Sequence, residues 1–408
     1  MIPASMPPSS DDVPRWFPQR SALAFSAPMI VNGIALPFFP VWLATLNLDD
    51  REIGTILAVP MFVRIIVAPL VAMLADRLKE RATVLIWSGG LSLLTALALF
   101  VSHGFWPVLI VYALQGATYA PYMPVTEAIL VNGVRRWGYD YGRMRMWGSL
   151  AFILSTLVGG YLIGLWGGKV VLPAMVFGFI LTVTMGFLAP RVGKSIVTTL
   201  DAERENPSTR RSALRRRDLQ VVMIGSSLVQ ASHAMQYAFS SIYWEKLGFS
   251  GGAVGILWSA GVLAEVVAFY FSQPLARRFT AWTLIRLGAT VAVCRWILFP
   301  LATDMLGFLL LQCLHAFTFA FCHMGIQRLI VRAVREEQEA SAQGAYFFYN
   351  GLFMAISTVA SGFIHTRLGL SGYYTMSVVA LSGLACVIAA FYLQPQRAAS
   401  GGNTSESR

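Results

Sequence analysis

Five ionisable side chains stand in stretches that are otherwise almost entirely apolar. They are Glu127 in "YAPYMPVTEAIL", Arg145 in "DYGRMRMWGSLAF", Glu265 in "GVLAEVVAF", Arg295 in "VCRWIL" and His315 in "CLHAFTFAF". A second histidine, His323, follows in the same apolar run. A charge held in hydrocarbon costs about 2.5–3.5 kcal/mol even on lenient scales, so each is expected to face an interior with a partner. The chemistry open to such a set is recognition and proton transfer. A guanidinium offers a planar fork of donors to a carboxylate or to hydroxyls. A carboxyl whose surroundings alternate between apolar walls and a neighbouring cation takes up and releases a proton. Glu265 is the leading carrier, with Glu127, His315 and His323 as alternatives; both histidines also fit as plain hydrogen bonds between helices.

The elements that must position these groups follow from composition. The 408-residue chain is 56% hydrophobic and 12% charged, with mean hydropathy +0.62. Soluble domains carry about 25% charged residues. A hydrocarbon core about 30 Å thick takes roughly 20 apolar residues per helical span. That ruler marks twelve candidate spans, near 21–46, 52–75, 82–102, 106–131, 144–166, 170–189, 219–244, 252–274, 282–301, 305–330, 344–366 and 372–393. Unpaired backbone in lipid is too costly for an open sheet, so the spans read as helices. The fold class is an all-α membrane protein.

Span four descends and span five ascends, so Glu127 and Arg145 meet across a hairpin as an ion pair, while Arg143 snorkels to headgroups. Tyr119, Met123 and Glu127 share one helix face. Glu265, Arg295 and His315 lie midway along spans eight, nine and ten, at one depth, where they can cluster. Gln230, His233 and Tyr237 form a polar stripe on span seven; with Asn32 and Asn350 they are candidates to line a pathway or simply to join helices. Arg64 has no acid on its own helix, which points to an anionic ligand, to Glu127 or to a carbonyl. Prolines 37, 40, 60, 69, 121 and 124 fall inside spans and free carbonyls there. "GYLIG" at 160–164 suits close helix packing.

The net charge of +11 reports topology. Of 31 Lys and Arg, only Arg51, Lys169, Lys246 and Arg367 fall on the side opposite the termini, with Arg64 and Arg295 mid-span. This asymmetry places both termini in the cytoplasm. It implies contact with anionic lipid and no nucleic-acid partner. The stretch 1–20 reads as a disordered tail, 21–189 as a six-helix unit, 190–218 as a cytoplasmic linker with a surface helix near its end, 219–393 as a second six-helix unit and 394–408 as a tail. Cys294, Cys313, Cys322 and Cys386 read as buried small apolar residues within spans, with no metal set. No nucleotide loop, zinc spacing or nucleophile elbow is present, which argues against an enzyme and against any cofactor other than a coupling proton.

Six spans, a basic linker and six spans is the plan of the major facilitator superfamily, whose two bundles rock about a midplane site. The turn "PLVAMLADRLKERATVL" resembles that superfamily's glycine-x-x-x-aspartate-basic motif, with Ala72 at the glycine, Asp76 as the acid and Arg77 and Arg81 as bases. It implies a latch between conformational states. "LPFFPVWL" and "PVTEAILVNGVRRWGYDYGRMRMWGSLAF" look like the matching stretches of the lactose permease group. In that group a span-four glutamate and a span-five arginine hold the substrate and a downstream aromatic stacks on it, which carries over to Glu127, Arg145 and Phe152. Phenylalanine replaces the tryptophan expected there. Arg295 and His315 match an arginine and a histidine of that group, but its proton-carrying glutamate is Thr318 here. "LHAFTFAFCHMG" is more similar to the phenylpropionate permease group.

The expectation is a monomeric secondary transporter of a bacterial inner membrane. It would take up a small organic solute with protons, an aromatic carboxylate before a sugar or nucleoside. Phe152, Tyr119, Tyr122 and Trp147 are candidate ring contacts. Proton-antiport efflux and a non-transporting membrane sensor are the other classes.

Overall fold

Long apolar runs leave the backbone no hydrogen-bond partner but itself, and the chain answers with helices. The computed structural model describes residues 14–77, 81–191, 216–334 and 336–394. Its helices are α1 (Phe17–Thr45), α2 (Asp50–Arg77), α3 (Arg81–Ala98), α4 (Phe105–Tyr119), α5 (Tyr122–Trp137), α6 (Tyr141–Trp166) and α7 (Val171–Leu188). After residues 192–215 come α8 (Arg217–Ala231), α9 (Ala234–Lys246), α10 (Gly251–Tyr270), α11 (Ser272–Arg278) and α12 (Ala281–Leu298). The last are α13 (Met305–Cys313), α14 (Cys322–Ala333), α15 (Glu336–Leu368) and α16 (Tyr373–Tyr392). Joining α4 with α5, α8 with α9, α10 with α11 and α13 with α14 leaves twelve rods, six on either side of 192–215.

Eight described stretches are long and apolar enough to cross a membrane, the last covering α15 and α16 together. The rods outside that set are α2, which carries Asp50, Arg51, Glu52 and Arg64, and the broken rods α4/α5 and α8/α9. Each break has a cause. Pro121 cannot continue the helix after α4. Between α8 and α9 no proline intervenes. There Ser232 Oγ donates to the Val229 carbonyl at 2.6 Å and His233 Nδ1 to that of Gln230 at 3.0 Å, so side chains take over backbone acceptors. Between α13 and α14 the residues Ala316–Phe321 wind as a π-helix, a rare form frequent at functional sites. It fits because Gly288 of α12 has no side chain: a Cβ there would lie 2.6 Å from the Phe317 carbonyl oxygen.

In the first half α1 packs on α5, α6 and α7, and α3 on α4 and α7. In the second α8 packs on α15 and α16, and α12 on α14 and α16. The halves meet chiefly where α2 touches α15 and α6 touches α10. These are rods two with eleven and five with eight, so exchanging the halves exchanges the contacts, as an internal repeat requires. Both contacts are tight at the end away from the termini. A Cβ on Gly54 would lie 3.0 Å from Gly362 Cα, and one on Gly160 would lie 2.5 Å from the Gly251 carbonyl oxygen. Gly160 thus does what "GYLIG" suggested. Beside the first contact, Asp50 Oδ2 lies 2.7 Å from His365 Nδ1, and the His365 ring stacks on Phe239 at 4.5 Å.

Some expectations shift. Residues 17–20, expected in the tail, instead open α1, where Arg20 Nε donates to the Leu188 carbonyl at 2.6 Å and closes the end of α7. The side chains of Asp76, Arg77 and Arg81 lie outside the described residues, as do 192–215 of the linker and the tail from 395. Cys322 is buried, but Cys294 and Cys313 are exposed and Cys386 is half-buried. A lipid-facing surface is as apolar as an interior one, so composition alone cannot separate the two.

Candidate functional site

The site begins at the hairpin of α5 and α6. Asp140 caps α6, its carboxylate accepting the Arg143 amide at 3.1 Å. The turn brings Tyr141 and Arg145 back against Glu127. Tyr141 donates to Glu127 Oε2 at 2.6 Å, and Arg145 Nε to Oε1 at 3.3 Å. Both carboxylate oxygens are engaged; of the guanidinium nitrogens only Nε bonds Glu127, and the Tyr141 hydroxyl lies beside the guanidinium. The guanidinium lies 5.5 Å from the Phe25 ring, which braces it from behind.

Arg145 borders a cavity of about 290 Å³ between the halves. Arg145, Ser149 and Phe152 stand on one wall. Tyr237, Trp258, Glu265, Gln312, His315 and Phe319 stand on the other. Trp258 donates its indole N–H to Ser241 Oγ at 2.8 Å and lies 5.9 Å from Tyr237 at 29°, so the two rings form a fixed aromatic wall.

Behind that wall runs a polar network with one possible sense. Arginine only donates. Arg295 gives NH2 to Gln312 Oε1 at 2.6 Å, and NH1 to Thr318 Oγ1 at 3.2 Å and toward His315 Nδ1 at 3.4 Å. His315 Nδ1 is therefore an acceptor, and its proton sits on Nε2, which faces Glu265 Oε2 at 3.6 Å. His233 donates through Nδ1 to the Gln230 carbonyl, so its Nε2 accepts the Thr318 hydroxyl proton at 2.8 Å. Gln312 is held further by Gln236 Nε2, which donates to the same oxygen at 2.7 Å. Both rings are thus neutral. Arg295 is wholly buried with no carboxylate in contact among the described residues, and its Nε has no partner.

Of the residues singled out by sequence, Arg145, Phe152, Tyr237, Glu265 and His315 line the cavity, and Glu127 grips Arg145. Others do not. Tyr119 is buried and donates to the Pro28 carbonyl at 2.9 Å, and Tyr122 to that of Thr182, so both join helices of the first half. Trp147 is 55% exposed and outside the cavity lining. Arg64 is exposed on α2, and neither it nor Asn32 nor Asn350 reaches the cavity wall. His233 is completely buried one layer back. Arg295 does not touch Glu265, since His315 stands between them. His323 lies off the lining, with its ring 6.0 Å from Phe319 and 6.0 Å from Phe269.

The sequence reading missed Gln236, Gln312, Trp258 and Tyr141, and assigned Thr318 only a lost proton site. Gln312 was findable: with His315 and Thr318 it repeats at three-residue spacing along one face. Trp258 carries no such mark, because a tryptophan in a membrane span is ordinary.

The profile of the MFS_1 like family matches residues 29–376. A protein described as a probable 3-phenylpropionic acid transporter of Escherichia coli (strain K12) is 31% identical over 376 residues, covering 91% of this chain and 96% of that one. The raffinose permease of Escherichia coli is 25% identical over 398 residues, covering 91% of each. Among solved structures, the nucleoside transporter NupG superposes with a TM-score of 0.76 at 16% identity, covering 92% of this chain and 98% of that one.

Proposed function

Because the chain belongs to the MFS_1 like family of membrane transporters, we propose that it is a proton-coupled symporter for a small aromatic carboxylate. The observation that carries this reading is Arg145, bound to Glu127 through Nε alone, lining a cavity with Phe152, Tyr237, Trp258 and Phe319. A guanidinium whose two terminal NH2 groups are not taken by Glu127 suits a carboxylate, and the rings suit an aromatic body of a volume that fits about 290 Å³. The relative at 31% identity, described as a phenylpropionic acid transporter, supports the same class.

With the basic side facing the cytoplasm, the glycine contacts and Asp50–His365 hold the outer end closed. Protonation of Glu265 from outside neutralises the cavity wall. The anion then seats on Arg145, its ring along Trp258 and Phe152, and the bundles rock to bury it. On the inner side the anion leaves, then the proton, and the empty carrier returns. Substrate drives this only through different affinities for the two forms.

The test is uptake of labelled 3-phenylpropionate into cells expressing the chain in acidified medium, beside a labelled disaccharide. Uptake of the acid that a proton uncoupler abolishes is expected. A sugar symporter is the second reading, favoured by the Glu127–Arg145 pair, which also suits hydroxyls. Uptake of the disaccharide and not the acid would establish it.

A further inference from the structure

A second cavity, of about 860 Å³, lies in the second half, where α8 and α12 begin and α14 and α16 end. Helix ends of both senses meet there, so their dipoles offset and the side chains set the sign of the groove. Asp218 is the one acid among the described lining residues, and Arg216 takes both of its oxygens, Nε to Oδ1 at 3.2 Å and NH2 to Oδ2 at 2.7 Å. The third nitrogen of Arg216 donates to the Ala333 carbonyl at 2.9 Å and closes the end of α14. That pair sums to zero. Arg332, exposed on the groove wall, has its charge answered by no other lining acid. A second cation stands behind the wall. Arg286 Nε donates to the Trp282 carbonyl at 3.3 Å, and its guanidinium lies 4.9 Å from the Phe391 ring.

The lining changes character with depth. Leu219 and Val222 of α8 are buried at the floor, with Leu329 of α14 beside them. Trp282 stands edge-on to Phe391 at 5.5 Å, and Tyr392, 80% exposed, lies at the end of α16. Apolar floor, aromatic wall and basic lip follow the order of acyl chain, interface and headgroup in one leaflet. A soluble anion has no use for the floor, and an uncharged lipid has none for Arg332. The adjoining segment 192–215 carries five Lys and Arg against three Asp and Glu, so it would bring like charge. We infer that this groove holds one anionic phospholipid of the leaflet on the side of the termini, its phosphate on Arg332 and the first carbons of its chains over Leu219, Val222 and Leu329. Basic pockets between spans take anionic headgroups by the same attraction. The bound lipid ties together the ends of four rods and steadies the second half without entering the cavity between the halves. The inference stands apart from the identity of the solute and from its coupling to protons.

The experiment follows thermal unfolding of the full chain in detergent micelles against added phosphatidylglycerol, phosphatidylcholine of the same acyl chains, or inorganic phosphate. A ligand of the folded form raises the melting temperature with its concentration. A saturable rise is expected with phosphatidylglycerol alone. Arg332→Gln is expected to weaken its apparent affinity about fivefold, as loss of one basic residue at a membrane surface implies. Arg332→Lys, which keeps the charge, should restore it. Arg143→Gln removes the same charge from an exposed side chain of the first half and should change nothing. An equal rise with phosphatidylcholine overturns the headgroup as the determinant, and an equal rise with phosphate overturns the lipid. Equal losses in Arg332→Gln and Arg143→Gln overturn the site, since net charge alone would then explain them. A second measurement needs no variant: the wild-type chain in phosphatidylcholine vesicles doped with a photoactivatable phosphatidylglycerol is irradiated and its peptides are weighed. Adducts are expected on 280–282, 329–333 and 391–394; adducts that avoid all three stretches overturn the inference.

Discussion

At Arg145 Nε is spent on Glu127 while the side chain lines the cavity, and that division is what the proposed binding role rests on. Lysine there would keep the charge but lose the fork. Arg145→Lys is expected to weaken binding of the transported acid by about tenfold to a hundredfold, as loss of a charged hydrogen bond implies, measured by titration calorimetry. Thr318 shows the opposite economy, one hydroxyl serving both Arg295 and His233. Thr318→Val removes it with little change of shape. It leaves a buried imidazole nitrogen and a guanidinium donor unsatisfied, a loss of about 1–3 kcal/mol that thermal unfolding would register. The Glu127–Arg145 pair was legible in the sequence because a hairpin needs only two spans and a turn. The Glu265–His315–Arg295 order was not, because equal depth along three rods does not say which side chain stands in the middle.

Among the elements, the glycines of α2, α6, α10 and α15 set the closed end, since only bare backbone allows those rods so near. Gly160→Leu would overpack that contact by about 1–3 kcal/mol. The expected outcome is a shift toward the form open at that end, seen as a longer distance between spin labels on α6 and α10; an unchanged distance would reject the glycine contact as the closure. "GYLIG" announced close packing but not the partner, because small residues mark a face and leave its neighbour unspecified. The broken rods divide the same way. Pro121 marked one break in advance, whereas the break at Ser232 and the π-helical turn at Ala316–Phe321 arise from hydrogen bonds and packing that no single residue type signals.

Across the whole molecule, two bundles related by an internal repeat border a shared cavity, and the proposed transport is the alternation of its two ends. Glu265→Gln is expected to abolish uphill accumulation of the acid, measured as the steady-state ratio across vesicles; normal accumulation would move the proton to another group. A ligand that seats between the halves binds the folded form, so a saturating aromatic acid at about a hundred times its dissociation constant should add about 2.7 kcal/mol of apparent stability, read as a raised melting temperature. The sequence by itself determined the helical membrane fold, the twelve-rod plan and the residues that hydrocarbon would not tolerate without a purpose, because hydropathy and the cost of buried charge act locally along a chain. Only the tertiary structure decided which of those residues share a chamber. It turned Tyr119 and His233 into packing, set Trp258 and Gln312 at the site, and sealed Arg295 behind His315. Those outcomes depend on how each rod is rotated against its neighbours, and rotation is fixed by contacts between segments far apart in sequence.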